Sequence, residues 1–166
     1  MAGQQQHPAV GAYAVICSRL DGRWDLDALP ESLTGDLDDL IAAVQQQPGE
    51  QGAFALVDVA DEFFVVVRVQ YGRVRLLLSD VTAAVDWDLA AQVLEHLGLE
   101  VPEDEQVEEI WPAGDLAVFD DLGLDAMELG AILADDEAYA DEMLAGLADR
   151  LGFAEAYERV VDALVD

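Results

Sequence analysis

The residues best placed to do chemistry in this sequence are three arginines that lie close together along the chain. Arg68, Arg73 and Arg75 flank Tyr71-Gly72, which predicts a two-residue hairpin turn because its second position tolerates a positive φ angle. In that register Arg68 lies directly opposite Arg75, and the three guanidinium groups share one face of the sheet. Arginine binds carboxylates and phosphates through paired hydrogen bonds. The sequence therefore predicts a small basic notch for an anion or an acidic tail.

A second interpretation of the same arginines is structural. Like charges that face each other across two strands are destabilising unless something neutralises them. Acidic side chains of the helices or of the C-terminal region could pair with the guanidinium groups. A shift of one residue in the register would separate Arg68 from Arg75 and weaken both interpretations.

No other group of residues predicts a reactive centre. The only cysteine is Cys17, in the middle of an apolar segment, where a small buried residue is expected rather than a nucleophile. One cysteine and two histidines, His7 and His96, do not form a zinc-binding pattern. Neighbouring acids are common, but none follows the spacing of a calcium-binding loop. We predict no catalytic residue, no metal and no cofactor.

The charge of the chain limits the kind of partner it can have. Seven basic residues, all arginine, stand against 36 acids, giving a formal net charge of −29 in 166 residues. Such a surface repels nucleic acid and anionic membranes and accelerates encounters with basic proteins. The hydrophobic content of 53% argues against disorder. We expect a folded protein that binds neither nucleic acid nor membrane directly.

The ends and the apolar segments of the sequence indicate a cytoplasmic protein. Residues 1–9 lack the basic and apolar regions of a signal peptide and are expected to be disordered. No apolar run approaches the roughly 20 residues that a membrane-spanning helix needs.

The elements that must position the arginines follow from hydrophobic periodicity. We predict a strand over residues 10–20, an amphipathic helix over 37–44, strands over 53–59, 63–69 and 74–78, and a helix over 87–97. Thr34 or Asp36 can cap the first helix. The order β-α-β-β-β-α predicts an α+β fold, with two helices on a mainly antiparallel four-stranded sheet in a two-layer core.

The remainder of the chain has a different composition. We assign residues 10–98 to the sheet domain, 99–112 to an acidic linker and 113–166 to a C-terminal helical region. Helical periodicity predicts three or four helices in that region. The sequence leaves open whether they dock on the sheet or fold separately.

Several segments together resemble the tRNA adenosine deaminase-associated protein family of GC-rich bacteria. These are AYAVI (12–16), AFALVDVADEFFVVV (53–67), LLLSDVTAAVDWDLA (76–90), WPAGDL (111–116) and LADRLGFAEAYERVVDAL (147–164). The resemblance covers nearly the full chain and transfers no active-site residue. It implies association with a tRNA adenosine deaminase. The ligand signature of zinc deaminases, H-x-E with P-C-x-x-C, is absent from this sequence.

These observations predict a non-catalytic acidic accessory protein whose partner is a basic protein, most plausibly a tRNA adenosine deaminase. Trp24 and Trp111, each beside a turn signal, are candidate contact residues because tryptophan often anchors interfaces. One alternative is a general polyanion that mimics nucleic acid. Another is an enzyme with an unrecognised site near Arg68 and Arg75.

Overall fold

The computed structural model describes residues 12–50, 52–103, 111–135 and 137–165. The N-terminal residues 1–9, predicted to be disordered, lie outside this range, as do residues 104–110 of the predicted linker. None of the described helices is both long and apolar enough to cross a bilayer.

The described residues form one antiparallel sheet of six strands. The strands are β1 (Tyr13–Leu20), β2 (Arg23–Ala28), β3 (Phe54–Val59), β4 (Phe63–Gln70), β5 (Arg73–Leu78) and β6 (Ala113–Gly114). Their order across the sheet is β2-β1-β3-β4-β5-β6, and every neighbouring pair is antiparallel. The α+β class is confirmed.

The predicted number of four strands is wrong because both edge strands were missed. β2 follows the tight turn at Asp21-Gly22 and pairs with β1. Only Trp24 and Leu26 of β2 pack against the core, and Asp25 separates them. β6 has two residues, which is too short for any periodicity to reveal.

The five described α-helices are α1 (Leu37–Gln46), α2 (Asp88–Leu97), α3 (Ala126–Leu133), α4 (Ala140–Leu151) and α5 (Ala154–Val165). Asp36 caps α1 by accepting a hydrogen bond from the backbone N–H of Asp39, one of the two caps that the sequence predicts. Gly98 ends α2 in the left-handed conformation, which glycine adopts without a steric penalty.

Helices cover both faces of the sheet, so the core has three layers rather than the predicted two. One hydrophobic cluster joins α1 and α2 to the face carrying Ile16, Val57 and Val65. The other joins α3, α4 and α5 to the face carrying Val15, Phe54 and Val66. The C-terminal helices therefore dock on the sheet, which answers the question that the sequence left open. We call the second face the C-terminal face.

Candidate functional site

The β4–β5 hairpin positions the arginines in the predicted register. Arg68 pairs with Arg75 and Gln70 pairs with Arg73 across the two strands. Tyr71 and Gly72 form the connecting turn with φ angles of 52° and 79°, the signs that a type I′ turn requires. Since side chains alternate along a strand, all three arginines lie on the C-terminal face.

The side chain of Arg68 is fully buried and forms a two-pronged ion pair. Its Nη1 and Nη2 atoms lie 2.7 and 2.9 Å from the two carboxylate oxygens of Asp121. Nη1 also donates to the carbonyl oxygen of Val118 at 2.6 Å. A buried charge is tolerated when it is paired and hydrogen-bonded in this way.

Arg75 is also paired within the chain, by the segment that follows β6, but through a single bond to a carboxylate. Its Nε donates to Asp115 at 2.6 Å, and its Nη2 donates to the carbonyl oxygen of Ala117 at 2.8 Å. Its Nη1 donates to the side-chain oxygen of Gln70, whose amide in turn donates to Asp121 at 3.2 Å. We refer to Arg68, Gln70, Arg75, Asp115 and Asp121 as the arginine cluster.

The contacts of the arginine cluster agree with the structural interpretation, in which acidic side chains of the same chain neutralise the arginines. Two guanidinium groups meet two carboxylates, so the formal charge of the five side chains is zero. Partial burial raises the pKa of Asp121, but hydrogen bonds and charge from Arg68 outweigh it and hold that pKa below its ordinary value. Recruitment of an external anion stays a prediction, and it would require displacement of Asp121. Arg73 is the exposed arginine of the three.

A close approach of two strands brings Asp115 to Arg75. Gly114 of β6 has a φ angle of 107°, and a Cβ atom there would overlap the carbonyl oxygen of Leu76. Glycine alone permits this contact. The next residue, Asp115, then donates its N–H to the same oxygen of Leu76 at 2.8 Å.

A second polar cluster lies at the other end of the C-terminal face. The hydroxyl groups of Tyr13 and Tyr157 are 3.2 Å apart, beside the buried side chain of Asp58. Asp58 accepts the backbone N–H of Asp61 at 2.9 Å. The carboxylate of Asp61 accepts the backbone N–H of Asp141 at 2.8 Å, at the start of α4, where the helix dipole favours a negative charge. We call these residues the tyrosine–aspartate cluster.

Among the described residues, no basic side chain takes part in the interactions that shift the pKa of Asp58, Tyr13 or Tyr157. Burial, the largest influence, raises the pKa of Asp58 from 3.8 to about 6, and hydrogen bonds from the Asp61 backbone and the Tyr13 hydroxyl only partly oppose it. Burial also raises the pKa of both tyrosines. Sequence reasoning missed this cluster, although a single acid within the apolar strand FALVDV was a signal for Asp58.

The other candidate reactive residues are not assembled into a site. Cys17 is fully buried among apolar side chains, as predicted, and burial raises its thiol pKa well above its ordinary value. His96 lies in the last turn of α2. Within the described ranges, no group of three or more His, Cys, Asp or Glu side chains is placed to hold a metal ion.

The two candidate contact tryptophans have different environments. Trp24 packs edge-on against Phe54 and Phe153, with ring centroids 5.9 and 4.8 Å away, and the guanidinium of Arg19 lies over its ring. Trp111 is 40% exposed, and its carbonyl oxygen accepts the N–H of Val81. The side chain of Trp111 is therefore partly exposed in the described part of the chain, whereas Trp24 packs mainly against the core, and a contact role for either residue stays a prediction.

Comparison with known proteins places the chain in a family. Residues 12–154 match the model of the family described as Rv3753c-like tRNA adenosine deaminase-associated protein. Protein Rv3753c of Mycobacterium tuberculosis is 40% identical over 164 residues, covering 96% of this chain and 94% of that protein. No solved structure matches the chain. The agreement extends across both the sheet and the C-terminal helices, so the chain belongs to the Rv3753c-like tRNA adenosine deaminase-associated protein family.

Proposed function

We propose that this protein is a non-catalytic accessory protein that binds the basic surface of a tRNA adenosine deaminase. The observation that carries the proposal is the net charge of −29 on a member of a family whose name associates it with that enzyme. An enzyme that binds tRNA needs a positively charged surface for the phosphate backbone. A strongly acidic protein is complementary to such a surface.

The distribution of the charge supports binding by an exposed surface. Acidic side chains on the helices of both outer layers are exposed, including Asp38, Asp39, Asp88, Asp141, Asp149, Glu155 and Glu158. By contrast, the buried guanidinium of Arg68 is matched by Asp121. The excess negative charge therefore faces solvent, where it can steer a basic partner.

A non-catalytic role is supported by the state of the candidate reactive groups. The thiol of Cys17 is buried, and Arg68 and Arg75 hold carboxylates of their own chain. Trp111 supplies an exposed aromatic side chain, the kind of residue that anchors an interface within a charged surround.

The test is calorimetric titration of this protein into the tRNA adenosine deaminase of the same organism, at low salt and at about 0.5 M salt, where screening is strong. We expect saturable binding that weakens steeply with salt. Added tRNA should displace the protein, because both occupy the basic surface.

Two results would change the proposal. Saturable binding that persists alongside tRNA would mean that the contact lies away from the substrate surface. No heat and no co-elution at low salt would rule out the deaminase as the partner.

A further inference from the structure

An open groove runs between α3 and α4 on the outer side of the C-terminal helical layer. Its volume is about 440 Å³. Ala131 and Ile132 of α3 line one side, and Met143 and Gly146 of α4 line the other. These side chains are small or flexible, which suits close approach and adaptable packing.

The rim of the groove is acidic. Asp135 and Glu142 border it and are exposed. Glu128, on the same rim, forms an ion pair with Arg150. In the part of the chain that the structure describes, no ion pair involves Asp135 or Glu142. The groove therefore combines an apolar floor with a net negative rim.

We infer that this groove receives a basic amphipathic helix of the partner protein. This inference rests on the proposed function and names the part of the acidic surface that makes the specific contact. Side chains of two helices form the walls, and helix backbones already satisfy their own hydrogen bonds. The groove therefore offers no strand edge with which an extended segment could pair, whereas a helix satisfies its own backbone groups and can lay an apolar face on the floor.

The negative charge of the rim favours a helix with basic side chains. Its apolar side chains pack on Ile132 and Met143, and its lysines or arginines lie against Asp135 and Glu142. The overall negative charge disfavours a second copy of this chain as the occupant, because two surfaces of the same sign repel.

Two glycines provide a matched pair of variants. Gly146 lies in the groove and Gly130 lies in α3 but does not line it. At both positions a Cβ atom would meet no other atom within 4 Å. Leucine at either position should preserve or raise stability, since glycine within a helix is unfavourable by roughly 1 kcal/mol relative to alanine and leucine is a good helix former.

The experiment measures the affinity of each variant for the deaminase by calorimetry. Gly146→Leu fills the groove and should weaken binding at least about tenfold, as loss of a central contact does. Gly130→Leu should bind within about twofold of the unmodified chain. If both variants bind with the affinity of the unmodified chain, the groove is not the binding site, and the proposed function is unaffected. If the unmodified chain itself fails to bind, the proposed function fails first.

A charge variant keeps the test valid if Gly146→Leu misfolds. Asp135→Asn with Glu142→Gln should weaken binding at low salt and have little effect at high salt, with Asp149→Asn and Glu155→Gln as a control of equal charge change. Equal losses of affinity in the two double variants would show that the groove is not the binding site. Light scattering provides a third test, of the oligomeric state of the free chain. If the free chain is a dimer that Gly146→Leu dissociates, the groove binds a second copy and the inference is wrong.

Discussion

The two ends of the C-terminal face hold carboxylates in opposite environments. At one end Asp121 is bound by the guanidinium of Arg68, and its pKa is lowered. At the other end Asp58 is surrounded by two tyrosines and further acids, and its pKa is raised to about 6.

Burial and counter-charge together decide how each end responds to pH, because Asp58 is buried among tyrosines and acids whereas Asp121 is exposed beside a guanidinium. A carboxyl group with a lowered folded-state pKa stabilises the fold above its unfolded-state pKa, and that contribution is lost as pH falls. A carboxyl group with a raised folded-state pKa contributes stability at low pH, and that contribution is lost as pH rises. Asp121 therefore stabilises the fold at neutral pH and loses that contribution in acid, whereas Asp58 destabilises the fold as it ionises near neutrality.

Removal of the Arg68 guanidinium, the counter-charge of Asp121, should have the largest effect on the free energy of unfolding. Arg68→Met keeps most of the buried volume but removes the donor of the Val118 carbonyl oxygen and leaves Asp121 with the Gln70 amide as its side-chain donor. Removing one partner of a buried ion pair costs about 3–5 kcal/mol when it leaves a buried charge unpaired. Here the remaining carboxylate of Asp121 reaches solvent, so we expect a smaller loss of about 2–3 kcal/mol, the range for hydrogen bonds to a charged group. Denaturant unfolding at pH 7 measures the loss.

Arg73→Ala is the matched control, because Arg73 is exposed on the same hairpin and should change the free energy of unfolding by at most about 0.5 kcal/mol. Adding Asp121→Asn to Arg68→Met should recover part of the loss. Equal effects of the Arg68 and Arg73 variants would show that the arginine cluster does not stabilise the fold.

Neutralising Asp58, at the other end of the C-terminal face, should have a smaller effect on stability, and it should be stabilising. Asp58→Asn removes a charge that the fold disfavours, and its amide oxygen can still accept the N–H of Asp61. We expect the variant to be more stable by roughly 1–2 kcal/mol at pH 8. Between about pH 4 and pH 6 the unmodified chain should lose this stability relative to the variant as pH rises.

Unfolding measured from pH 3 to pH 8 checks this profile. Asp121→Asn is the comparison, since it should remove stability above pH 4 and make little difference below it. A stability difference between Asp58→Asn and the unmodified chain that does not vary with pH would refute the raised pKa of Asp58.

The smallest expected effect belongs to the tyrosine hydroxyl groups. Tyr157→Phe removes the partner of the Tyr13 hydroxyl without opening a cavity. The loss should be about 0.5–1.5 kcal/mol, the net contribution of one hydrogen bond, measured by thermal and denaturant unfolding. The double variant with Tyr13→Phe should not lose the sum of the two single effects, because each removes the same bond. Additive losses would mean that the 3.2 Å contact contributes nothing.

Local features of the fold followed from the sequence, whereas contacts between distant segments did not. The turn at Tyr71-Gly72 determined the register that places Arg68 opposite Arg75, because a two-residue loop allows one pairing. That Asp121 and Asp115 would neutralise them was not predictable, since they are two among 36 acids and lie 40 or more residues away.

The missed elements have the same explanation. β2 carries the alternation Arg23-Trp24-Asp25-Leu26-Asp27 directly after a turn signal, and this pattern could have revealed an edge strand. β6 and the meeting of Tyr13 with Tyr157 depend on the docking of the C-terminal segment, which no local pattern encodes. The tyrosine–aspartate cluster was therefore accessible only through the single acid at position 58 of an apolar strand.

Selectivity for the deaminase tests the central claim most directly. Dissociation constants should be measured at one low salt concentration for the deaminase of the same organism and for an unrelated basic protein of similar size and positive charge. An accessory protein should bind the deaminase at least about tenfold more tightly, a difference of about 1.4 kcal/mol. Equal affinities would contradict the account and identify the chain as a general polyanion that mimics nucleic acid.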